Sequence, residues 1–168
     1  MATEMQAAKR PVSLLAGPYG HPFHPILVTV PIGSWVASLV FDVASRLGTQ
    51  PAVFATGSRW LIGLGIVGAL AAAMFGLLDL FVIPTGTRAF RTGLVHMTLN
   101  LTVVTLYAGS FLLRRGAGEE SDGVAVGLIA LSVVALGLLA VSGWLGGQLA
   151  YRYGVRVADE ATQAEGYR

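Results

Sequence analysis

Four long apolar runs, parted by short stretches of glycine, proline and charge, restrict this chain more than anything else in it. A helix that crosses the hydrocarbon layer needs about 20 mostly apolar residues, and residues 26–47, 60–83, 94–113 and 124–150 each meet that length. Lipid offers no water to satisfy backbone N–H and C=O groups, so each run closes its own hydrogen bonds as a helix. The breaks have local causes: Gly48, Thr49 and Pro51 end the first run, Pro84 and Gly86 the second, and Gly116 and Gly118 with Glu119 and Glu120 the third. Connections this short make neighbouring helices antiparallel. The expected fold is all-α, an integral membrane four-helix antiparallel bundle, with a leader over residues 1–25, a transmembrane domain over 26–150 and a tail over 151–168. Composition agrees, with 54% hydrophobic and 12% charged residues against about 25% charged in soluble domains. The lipid bilayer is the first partner.

Basic residues orient the bundle. Lys9, Arg10, Arg88, Arg91, Arg152, Arg156 and Arg168 fall on the side of the termini, and Arg46, Arg59, Arg114 and Arg115 on the other. The positive-inside rule then makes both termini cytoplasmic. A net charge of +2 with no basic stretch excludes nucleic acid as a partner. Zero cysteines exclude disulfides, thiolate metal sites, cysteine-held iron–sulfur clusters and the c-type haem attachment. The first run follows a polar, proline-containing leader and is too long for a signal-peptide core, so no cleaved signal is expected.

Small residues at i, i+4 spacing form three seams, Gly68–Ala72–Gly76, Gly143–Gly147 and Gly33–Ala37. Close backbone approach supplies much of the association energy between helices in lipid, so these are packing features. The residue pattern presents no internal repeat.

Chemistry concentrates at the end of the bundle that carries the termini. His21 and His24 lie in Gly20-His21-Pro22-Phe23-His24-Pro25, where each proline pushes the histidine before it toward an extended conformation. The first helix is expected to begin at Pro25, with His24 just outside it. In polyproline II geometry the two histidines project on one side, roughly 9 Å apart. His96 lies one to two turns past Arg91, with Asn100 one turn deeper and Thr92 one turn shallower on the same face. Asp79 and Gln148 bring the second and fourth helices to the same level. Ionisable groups within spans are costly and are kept where they pair or function; the bland reading is an interfacial His, an Asp paired with Arg88 and His-Pro pairs that shape the helix entry. Asp42, near the opposite end, is expected to pair with Arg46 at i, i+4. The far halves of the spans otherwise offer few polar residues for a solute path.

A b-type haem asks for axial histidines on facing helices, an apolar slot and cations for its propionates. His24 and His96 are the axial pair and the candidate metal ligands. His21, Asp79 and Asn100 surround them, Phe23, Phe75 and Trp144 line the slot, and Arg88 and Arg91 with Arg10 and Arg152 meet the propionates. Two histidines on two helices also suit copper, zinc or a quinone hydrogen bond. The expected function is a membrane redox subunit that binds haem b near the cytoplasmic face and exchanges electrons with a membrane or redox protein partner; the alternative is a non-catalytic scaffold or accessory subunit. No nucleophile–base pair, phosphate loop or deep carboxylate dyad supports hydrolysis or group transfer.

The run Gly20-His21-Pro22-Phe23-His24-Pro25-Ile26-Leu27-Val28, then Pro31-Ile32-Gly33 and Asp42, resembles the bacterial membrane family called domain of unknown function 2231. Asp79, Ile83-Pro84-Thr85-Gly86-Thr87-Arg88-Ala89, His96 with Asn100, and Leu145-Gly146-Gly147 with residues 151–155 look like its remaining landmarks in the same order. The resemblance covers nearly the whole chain. It implies four spans in a bacterial cytoplasmic (inner) membrane and, through an association of some relatives with Rieske-type proteins, a redox setting by analogy. Relatives often carry histidine where this chain has Gln148, which implies an altered site if that position is a ligand.

Overall fold

The computed structural model describes residues 2–10, 22–114 and 123–167. A short helix, α1 (Ala2–Lys9), lies in the leader. The first span is α2 (Phe23–Leu27) followed by α3 (Thr29–Leu47). The next two are α4 (Pro51–Phe81) and α5 (Arg88–Leu113), and α6 (Val126–Gly147) runs on into a π-helical turn, Gln148–Arg152. α7 (Glu160–Glu165) ends the described chain. Four helices are thus long and apolar enough to cross a membrane, as expected from the apolar runs, and no strand occurs among the described residues.

Helix starts differ from expectation, each for a local reason. The first helix begins at Phe23, not Pro25, so His24 lies inside its first turn. A proline there lacks only an N–H that would have no partner in the first turn anyway. The break at Val28 comes instead from Pro31, which has no N–H for the carbonyl four residues back and whose ring crowds it. Val28 N–H still donates to His24 O at 3.1 Å and Ile32 N–H to Val28 O at 3.2 Å, bracketing the defect. Pro51 opens α4 rather than ending the first run, since proline suits the first helical position. α5 starts at Arg88 because Thr87 caps it: its Oγ1 accepts from Phe90 N–H at 3.1 Å and donates to Pro84 O at 2.8 Å.

Packing is heaviest within the two helical hairpins, α3 with α4 and α5 with α6; α4–α5 and α3–α6 contacts close the ring. The first and third spans therefore face each other across the diagonal. Their meeting point is the core, where Trp35 stacks on Tyr107 with centroids 4.3 Å apart and planes 10° apart, surrounded by Ile62, Val103 and Ala135. The perimeter is apolar and exposed, including Val40, Leu64, Met74 and Val134, as lipid demands.

One seam holds and the others shift. A Cβ on Gly68 would press on Val30 and Pro31, and one on Gly76 would meet the His24 ring at 2.9 Å, so the α4 seam is a contact surface. Gly33, Gly143 and Gly147 have nothing within 4 Å, and the glycine that α6 presents to a neighbour is Gly146, against His96.

Candidate functional site

His24 and His96 come together at the end of the bundle that carries the termini. Their ring centroids are 6.2 Å apart and their planes 83° apart. Each ring is held in the same manner. His24 Nδ1 lies 2.8 Å from the carbonyl of Ala72 on α4, and His96 Nδ1 lies 2.8 Å from the carbonyl of Ser142 on α6. A carbonyl only accepts, so Nδ1 carries a proton in both rings, and in a neutral ring Nε2 then keeps its lone pair. One turn beyond each carbonyl stands a glycine, Gly76 or Gly146, and a Cβ there would lie 2.9 or 3.1 Å from the ring's Cε1. The missing side chains let the rings lie against the neighbouring helix.

His96 has further partners. Ser142 Oγ lies 3.0 Å from its Nδ1 and donates to the His96 carbonyl at 3.2 Å. Asn100 Nδ2 donates to Ser142 Oγ at 2.8 Å and to His96 O at 2.9 Å, and approaches His96 Nε2 at 3.2 Å. The polar stripe expected on α5 thus faces the bundle interior. Phe23 and Phe75 pack edge to face beside the site, with centroids 5.4 Å apart.

Other expected members are placed differently. Asp79 pairs with Arg156, whose Nε lies 2.8 Å from Oδ1, rather than with Arg88. Arg156 reaches it from a left-handed backbone conformation with φ 60°, pinned by its own N–H donating to Ala8 O at 2.9 Å. Leader and tail are therefore tied together over α4. Trp144 does not line the site; it is 66% exposed on the perimeter, a position typical of an interfacial aromatic. Arg10, Arg88, Arg91 and Arg152 are exposed at this end of the bundle, and Gln148 opens the π-helical turn half-buried. His21 lies outside the described residues. Among the described residues no three His, Asp or Glu side chains gather as a metal site.

The opposite end holds a polar cluster that the sequence reading missed. Arg114 forms a two-pronged ion pair with Asp42, Nη1 to Oδ1 at 2.5 Å and Nη2 to Oδ2 at 2.8 Å, with both side chains fully buried. Ser58 Oγ donates to Asp42 Oδ1 at 2.5 Å, Ser132 Oγ lies 3.4 Å from Oδ2, and Ser110 Oγ accepts from Arg114 Nε at 3.1 Å. Asp42 is thus satisfied across the bundle and not by Arg46. The far halves of the spans carry a buried hydroxyl shell where few polar groups were expected. Scattered single serines in apolar runs gave no signal, because each sits on a different helix and only the folded bundle joins them.

Neither the curated proteins nor the solved structures contain a significant match to this chain. A family model described as "predicted membrane protein" does match, over residues 20–159, which takes in all four spans, all three histidines and the Asp42–Arg114 pair: the chain belongs to the family of membrane proteins named domain of unknown function 2231.

Proposed function

We propose that this protein is a membrane electron-transfer subunit in which His24 and His96 hold one b-type haem. The observation that carries the reading is the matched pair of imidazoles, each tethered through Nδ1 to a carbonyl of the adjacent helix. Such a tether fixes the tautomer and orientation of ligating histidines and leaves Nε2 for a metal. The ring centroids are 6.2 Å apart, near enough that one metal centre, with bonds of about 2 Å to imidazole nitrogen, would be held by a ring from each helix.

The donor set fits haem better than a bare ion. Two neutral imidazoles with no third protein ligand among the described residues leave zinc or a divalent copper short of donors, whereas haem brings four nitrogens of its own. When bound, it supplies a one-electron couple. The chain's own part is to hold both rings, seat them on Gly76 and Gly146, and exclude water with Phe23 and Phe75. Asn100 would release Nε2 of His96 while keeping its shorter bonds to Ser142 Oγ and His96 O. Exposed Arg88 and Arg91 supply cations for propionates at the membrane surface, in the orientation that the positive-inside rule favours, with the termini in the cytoplasm.

The test is direct. Protein purified in detergent, as isolated and after supply of haem, should give a reduced-minus-oxidised difference band that His24→Ala and His96→Ala each abolish. Absence of the band from both native preparations contradicts the reading. One observation favours a purely structural role: both ring nitrogens of His96 already have partners within the chain. On that account the two alanine variants lower thermal stability and no chromophore is lost.

A further inference from the structure

We infer that the chain is two copies of one two-helix unit, facing each other across a two-fold axis along the membrane normal, and that the Asp42–Arg114 pair selects this pairing. The observation is a constant offset between interactions at the two ends and in the middle of the bundle. On the first and third spans His24, Trp35, Ser38 and Asp42 correspond to His96, Tyr107, Ser110 and Arg114, each 72 positions later. On the second and fourth spans Ile62, Gly65, Ala72 and Gly76 correspond to Ser132, Ala135, Ser142 and Gly146, each 70 positions later.

These are the same contacts made twice. His24 bonds to Ala72 O and abuts Gly76; His96 bonds to Ser142 O and abuts Gly146. Trp35 Nε1 donates to Ile62 O at 3.4 Å, and Tyr107 Oη to Ser132 O at 3.5 Å. Trp35 leans on Gly65, and Tyr107 packs in one cluster with Ala135. Burial repeats as well: Trp35 and Tyr107, Ser38 and Ser110, Asp42 and Arg114, and Ile62 and Ser132 are all within 1% of fully buried, while Leu64 and Val134 are 54% and 57% exposed, and Met74 and Trp144 69% and 66%. The first and third spans run in the same direction, so the axis lies along the helices. It threads the His24–His96, Trp35–Tyr107 and Asp42–Arg114 pairs in turn.

Two like units could also pair each with its own kind. Asp42 and Arg114 break that degeneracy, because they occupy equivalent positions with opposite charge. First unit against first would bury two carboxylates on the axis, and second against second two guanidiniums, both prohibitive in a bilayer. Fixing register and partner is the best-attested use of a buried charged group. Ser38, the counterpart of Ser110, even stands four residues before position 42, where an arginine at that position would find the same acceptor. This inference does not depend on whether haem binds.

Two exchanges in the full-length protein test it, read as melting temperature and monodisperse yield in detergent. Asp42→Arg alone and Arg114→Asp alone put like charges on the axis and should collapse the yield. The exchange Asp42→Arg/Arg114→Asp should recover most of the loss. A neutral exchange on the same axis, Trp35→Tyr/Tyr107→Trp, should likewise melt well above the less stable of its single variants. Equivalent positions require this non-additive recovery. If both exchanges lose as much as the sum of their single substitutions, the two halves are not equivalent and the inference is overturned.

Discussion

At the residue scale, glycine decides where the histidines lie. A methyl on Gly76 or Gly146 would stand 2.9 or 3.1 Å from a ring atom, closer than carbon atoms pack without displacement. Gly76→Ala and Gly146→Ala should each cost about 1–3 kcal/mol by overpacking, whereas Gly143→Ala and Gly147→Ala, with open space around them, should leave melting unchanged or raised. Thermal melts of the four variants in one detergent check the contrast. The ion pair obeys a harsher rule. Removing one partner of a buried pair leaves the other charge stranded and costs about 3–5 kcal/mol, so Arg114→Ala should destabilise far more than Arg46→Ala, measured the same way. The histidines were legible because an ionisable side chain in an apolar run stands out. The Asp42–Arg114 pair was not, because its partners are 72 residues apart and Arg46, at i, i+4, offered a nearer explanation.

At the scale of elements, apolar length gave the number of spans and misjudged where they begin. Hydropathy sees lipid-facing composition, whereas helix starts depend on caps and prolines, and Thr87 and Pro51 extend α5 and α4 beyond their apolar runs. Thr87→Ala should fray the first turn of α5 at a cost of about 1 kcal/mol, seen as faster amide exchange at Phe90. Outside the membrane, α7 is capped by Asp159, whose Oδ1 accepts from Thr162 N–H at 2.8 Å. The backbone N–H of Thr162, and then its side chain, hold the Asp159 carboxyl below its usual range. A carboxyl whose folded pKa is depressed contributes stability above its unfolded value of about 3.8 and loses it as pH falls further. Amide protection at Thr162 should therefore persist at neutral pH and vanish in acid, and Asp159→Asn should flatten that dependence. A profile unchanged by the substitution would assign the protection to something other than the cap.

The whole molecule has an order that its sequence conceals. Between the first and third spans, Leu27 with Leu99 and Ser38 with Ser110 join the histidines as identities, while Trp35 faces Tyr107 and Asp42 faces Arg114. Lipid-facing positions vary freely among apolar residues, and the core partners match in shape or in opposite charge instead of by name. The offset also slips from 72 to 70, because Ile62 follows Asp42 by 20 positions and Ser132 follows Arg114 by 18, so no single register aligns both helices of the repeat. Only the duplicated hydrogen bonds expose it. On this view the site belongs to both halves equally, one imidazole from each, with ring planes 83° apart. Electron paramagnetic resonance of the oxidised, haem-supplied protein tests that claim most directly: a ferric haem held by both imidazoles would give a low-spin signal, lost in His24→Ala and in His96→Ala alike. A high-spin signal in the unsubstituted protein, or a low-spin signal that survives either substitution, would contradict a shared axial site.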